Sequence, residues 1–86
     1  MDKMQNIIKR EFETDSGLIV NSIIFTEDER IIVEASGDDK RHIPAQSYVM
    51  EIGSDDDCFM FVGPTNEVSF DYPADWSDAI DENNFS

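Results

Sequence analysis

The chain has 86 residues, with twenty Asp and Glu against six Lys and Arg and a formal charge of −14. So much charge of one sign exceeds the about 2–8 units that keep a small domain soluble, and it costs stability through self-repulsion. It excludes direct binding to nucleic acid or to an anionic membrane, and a lone cysteine, Cys58, excludes an intramolecular disulfide.

Six Phe, two Tyr and one Trp within a 40% apolar composition are enough for one small core, so the expectation is a single domain over residues 1–86 with a fraying end. No apolar run reaches the length of a membrane span, and Met1–Glu13 has no plain apolar stretch of the signal-peptide kind. With one thiol suited to a reducing compartment, the expected location is cytoplasmic. The charge is also uneven. Residues up to Arg41 carry ten acids and six bases, a net of −4, whereas residues from His42 onward carry ten acids and no base, a net of −10.

In chain order, Met4, Ile7, Ile8 and Phe12 recur at helical spacing and predict an amphipathic helix of about three turns, stopped near Thr14-Asp15-Ser16-Gly17. Leu18–Phe25 is rich in β-branched residues and predicts a strand covered on both faces. After a turn at Thr26–Glu29, Arg30–Ala35 predicts a second strand, with Ile31 and Val33 on one face and Ile32 and Glu34 on the other. Gly37-Asp38-Asp39-Lys40 suits a hairpin loop. A short strand through His42 and Ile43, ended by Pro44, is expected next.

Tyr48, Met50 and Ile52 alternate with Val49 and Glu51. Gly53–Asp57 then turns the chain into a strand at Cys58–Val62. Gly63-Pro64-Thr65-Asn66 reverses it again, and Glu67–Tyr72 alternates cleanly, with Val68, Phe70 and Tyr72 inward and Glu67, Ser69 and Asp71 outward. Beyond Pro73, Trp76 and Ile80, four apart, are expected to place one short helical face on the sheet and leave Asp75, Asp78, Asp81 and Glu82 in water. The expected fold is α+β: an N-terminal amphipathic helix packed on a mainly antiparallel sheet of about five strands, with a short acidic C-terminal helix or tail.

Catalytic chemistry has little to work with. His42 is the sole histidine and follows Lys40-Arg41 in an exposed loop, no Gly-x-Ser-x-Gly elbow is present, and Cys58 opens an apolar strand where a small buried thiol is ordinary. Asp55-Asp56-Asp57 invites calcium, but three consecutive acids with Met60 sixth and Asn66 twelfth do not fit the EF-hand pattern. One Cys and one His do not make a zinc site. The expectation is a protein without catalytic residues, metal or cofactor.

Carboxylates remain. Outward residues of a strand repeat about every 6–7 Å, comparable with successive phosphates of a nucleic-acid strand. Glu51, Asp55, Asp56, Asp57, Glu67, Asp71, Asp75, Asp78, Asp81 and Glu82 are the candidate row, with Trp76, Tyr72 or Phe85 as apolar anchors beside it. The expected partner is a basic nucleic-acid-binding protein whose groove these acids occupy. The rival reading is an assembly or antitoxin-like interaction module whose acids serve only solubility or a basic peptide.

Asn6-Ile7-Ile8-Lys9-Arg10-Glu11 followed by Leu18-Ile19-Val20-Asn21-Ser22-Ile23-Ile24 resembles the start of the phage uracil-DNA glycosylase inhibitor family, small acidic DNA mimics. The resemblance implies a strand that enters an enzyme's DNA groove, with Asn21, Ser22 and Ile23 at the partner. Ser22 and Ile23 match the family's segment, and Asn21 stands where the family has glutamate. More broadly it places the chain beside small acidic phage inhibitors, anti-CRISPR proteins among them.

Overall fold

The computed structural model describes residues 3–37, 43–51 and 58–76. One helix, α1 (Lys3–Ser16), precedes five strands: β1 (Ile19–Phe25), β2 (Arg30–Ser36), β3 (Gln46–Glu51), β4 (Cys58–Val62) and β5 (Glu67–Asp71). The strands form one antiparallel sheet in chain order, β1-β2-β3-β4-β5, so the fold is α+β as the alternating pattern predicts. Asp38–Arg41, His42, Ile52, the Asp55–Asp57 turn and the C-terminal segment with Ile80 and Phe85 lie outside the described residues.

Helix α1 begins at Lys3, one residue before the first apolar position, and buries Met4, Ile7, Ile8 and Phe12. It stops where Gly17 adopts a left-handed φ of 74° and donates its N–H to the Glu13 carbonyl at 2.9 Å, a geometry that glycine takes without steric cost. The Ser16 hydroxyl donates to the Phe12 carbonyl and accepts from the Leu18 N–H, tying the chain to the helix as it leaves.

The helix packs mainly on the two edge strands, β1 and β5. In a flat sheet those edges would stand about 19 Å apart, four strand spacings. The sheet therefore curls, and α1 lies along the gap between its edges. Two helix side chains fasten the β1 edge: Gln5 Nε2 donates to the Ile23 carbonyl at 3.1 Å, and Glu13 Oε2 accepts the Val20 N–H at 2.9 Å. Backbone groups that would otherwise recruit another strand are occupied.

Inside the curl, Phe12 meets Tyr48 and Phe61 edge-to-face at 5.3 and 5.5 Å, and Phe59 meets Trp76 at 4.7 Å with the rings nearly perpendicular. Val20, Ile23, Ile31, Val33, Ala35, Met50 and Val68 complete the inner layer. Among the described residues, β3 and β4 share a single registered pair, Val49↔Val62. Gly63 follows immediately, and a Cβ there would lie 2.5 Å from the Tyr48 ring. Only a residue without a side chain lets β4 close over that ring.

Three expectations change. Leu18–Phe25 is not covered on both faces: Val20 and Ile23 are buried, while Ile19 and Ile24 stand exposed because the helix reaches only one side. Ile43 lies outside any strand; its carbonyl instead accepts the Gly37 N–H at 3.0 Å and ties the ends of the β2–β3 connection. Tyr72 falls one residue past β5 and is partly exposed, its ring resting on Phe59 at 4.6 Å.

Candidate functional site

Among the described residues no helix lies over the outer face of the curled sheet. Which side chains stand there is decided partly by a bulge in β1, where register shifts between Val20 and Ser22 and leaves Asn21 as the extra residue. Counting by twos from Val20 would send Ser22 and Ile24 inward. The bulge reverses that parity, so Ile23 turns in beside Val33 while Ser22 and Ile24 turn out beside Glu34 and Ile32. Asn21 Nδ2 donates to Ser36 Oγ at 3.1 Å and fixes the distortion to β2.

On this face the pairs Ile24↔Ile32, Ile32↔Val49 and Val49↔Val62 join four strands into one straight apolar row, which ends at Glu67, the partner of Val62 on β5. Three strand spacings make the row about 14 Å long. Ile24 and Val62 are 53% and 50% exposed, and Met60, two residues from Val62, is 40% exposed. An antiparallel sheet with one solvated face ordinarily puts polar residues there. A continuous apolar row is unusual in that position.

Carboxylates rim the row. Glu34 lies on one side, across from Ser22 and Ser47; Glu51 lies on the other, across from Arg30; Glu67 and Asp71 stand along β5. Against these four acids the face carries one base among the described residues, Arg30. Its guanidinium is shared between Asp28 at 3.5 Å and Glu51 at 3.6 Å. The Asp28 carboxyl is held below the usual range first by the Thr26 hydroxyl and then by Arg30. The β1–β2 turn that carries them closes through Thr26 and Arg30, with Glu29 left-handed at φ 61°.

Of the sequence-derived candidates, the structure thus brings Ser22, Glu51, Glu67 and Asp71 to one face, with Asn21 exposed at its β1 margin. Two apolar candidates leave it. Ile23 is 8% exposed because the bulge turns it under the helix, and Trp76 is 6% exposed because its ring fills the end of the core against Phe59; neither side chain can serve as a surface anchor. Asp75 lies elsewhere, on the helix side, where both its oxygens accept from Arg10 at 3.2 Å. That pairing lowers the Asp75 pKa and raises that of Arg10. Asp55, Asp56, Asp57, Asp78, Asp81 and Glu82 fall outside the described residues.

Glu34 and the apolar row were missed by sequence reasoning. Alternation did place Ile32 and Glu34 on one face of β2, but the row takes one residue from each of four segments, and only the register aligns them.

A hollow of about 310 Å³ beside the β4–β5 turn holds Gln46, Thr65 and Asn66. Their polar atoms bind one another and the Tyr48 hydroxyl, which lies 2.7 Å from Asn66 Oδ1, so they serve the fold. Among the described residues no three His, Cys, Asp or Glu side chains converge in a way that could hold a metal ion, and no helix is long and apolar enough to cross a membrane. Compared with protein-family models, curated proteins and solved structures, the chain matches none of them.

Proposed function

We propose that this protein is a cytoplasmic DNA-mimic inhibitor without catalytic activity, which blocks the nucleic-acid-binding groove of a basic partner, a defence or repair enzyme, with the outer face of its sheet. The observation that carries the reading is the gathering of Glu34, Glu51, Glu67 and Asp71 on one face that no described element covers and whose sole described base is already shared between two acids. A groove lined to neutralise phosphates finds in these carboxylates the same charge, already fixed in place. The convex curl of the sheet suits insertion into a cleft. The N-terminal resemblance makes uracil-DNA glycosylase the first enzyme to assay.

Charge reversal tests it. Glu67→Lys and Asp71→Lys lie on exposed positions, so the fold should persist while association with the partner slows by about tenfold and becomes less dependent on salt. Unchanged association at low salt would end the proposal.

The apolar row favours one further reading, an assembly module that uses Ile24, Ile32, Val49 and Val62 without any mimicry. Its signature is a stable complex that neither nucleic acid nor salt dissociates.

A further inference from the structure

Resting on the inhibitor reading above, we infer that the cleft this protein fills is one that takes single-stranded nucleic acid: a basic track with an apolar, aromatic floor. The outer face has two components, and a duplex-binding groove accounts for only one of them. Proteins that grip duplex DNA do so chiefly with polar and cationic groups on phosphates, and their interfaces are more polar than protein–protein ones. Such a groove complements Glu34, Glu51, Glu67 and Asp71, but has nothing to set against about 14 Å of continuous Ile and Val.

Clefts for single strands combine cationic walls with aromatic side chains on which unstacked bases lie. The row Ile24–Ile32–Val49–Val62, with Met60 beside it and carboxylates on both flanks, presents an apolar centre to such a floor and anions to such walls. A second copy of this chain is the wrong occupant. Face-to-face pairing would bring together two surfaces that, among the described residues, each carry four acids and one base, and like charge rejects that pairing. Strand addition at β1 is also obstructed by Gln5 and Glu13.

The test uses the full chain, immobilised at low salt and loaded with host lysate. The retained protein is released in parallel with an oligo-dT strand and with a duplex of the same length at equal phosphate concentration. The expected result is release by the single strand at a concentration about tenfold or more below that of the duplex, the gap that stacking of one or more bases supplies. Ile24→Gln and Val62→Gln should each weaken retention about tenfold, and the loss should persist at high salt because it is not electrostatic. Equal release by duplex, or full retention on both variants, overturns this inference and leaves the inhibitor reading standing. Release by neither nucleic acid, or no retained protein at all, overturns both.

Discussion

Along β4 the side chains alternate between two environments. Phe59 and Phe61 point into the curl and are buried, while Met60 and Val62, their immediate neighbours, stand half exposed on the outer face. The inner set is aromatic and interlocked: Phe61 touches Phe12 and Phe70, and Phe59 touches Phe70, Tyr72 and Trp76. The outer set is aliphatic, aligned across strands and rimmed by carboxylates. On the proposed function, stability and recognition fall on opposite sides of one sheet, and substitutions one residue apart should separate them.

Phe61→Ala should produce the largest effect, a loss of about 3–5 kcal/mol, because the ring leaves a cavity between helix and sheet. Val62→Gln, the next residue, should stay within about 0.5 kcal/mol of the parent in urea unfolding while weakening partner retention. If both variants lose stability equally, the outer row is part of the core and the division fails. Gly63→Ala comes second. Its new methyl group would meet the Tyr48 ring at 2.5 Å, and the flexible end of that contact is an aromatic fixed by Phe12 and Asn66. A cost of about 1–3 kcal/mol is expected from such overpacking, read as a lower urea midpoint.

Glu13 sharpens the comparison from the helix side. Burial acts to raise its pKa, but the Val20 N–H and Lys9 together outweigh it and hold the carboxyl below its ordinary value. A depressed folded pKa means that this group stabilises the fold above the unfolded value of about 4.3 and that the contribution is lost as pH falls through the lower, folded value. Glu13→Gln should cost about 1 kcal/mol at neutral pH and flatten the acid limb of a plot of urea midpoint against pH. An identical acid limb in parent and variant would show that Glu13 does not anchor β1.

The fold was legible in the sequence because its periodicities are local. Met4, Ile7, Ile8 and Phe12 mark the buried stripe of α1, and Val68 and Phe70 mark the inner face of β5 without reference to anything distant. The outer face was legible only in part. Glu51, Glu67 and Asp71 could be recognised as outward, but the row they flank depends on pairing between segments remote in sequence. The bulge at Asn21 reverses parity within a strand that alternation alone assigns wrongly, which is why Leu18–Phe25 reads as covered on both faces. Trp76 reads both as part of a face packed on the sheet and as an anchor beside the acids; only the first is met, and a lone Trp near acids carries no local sign of the ring it packs against. Asp75 belongs with Arg10, sixty-five positions earlier, and no spacing rule connects them.

That last pair lies on the helix side, and its removal should have the smallest effect. Arg10 and Asp75 are bidentate but exposed, so solvent screens their attraction and the pairing contributes little to the fold. Arg10→Gln should leave the urea midpoint in place. The carboxyl itself should respond: hydrogen bonding to Arg10 holds the Asp75 pKa down, and its loss should let the group titrate at a higher pH in an NMR titration of the side chain. Partner association should be unaltered, since Asp75 stands on the helix side and away from the acids of the outer face. A variant that slows association as much as Asp71→Lys would move the recognition surface around the edge of β5 and onto α1, and the separation of the two faces would no longer hold.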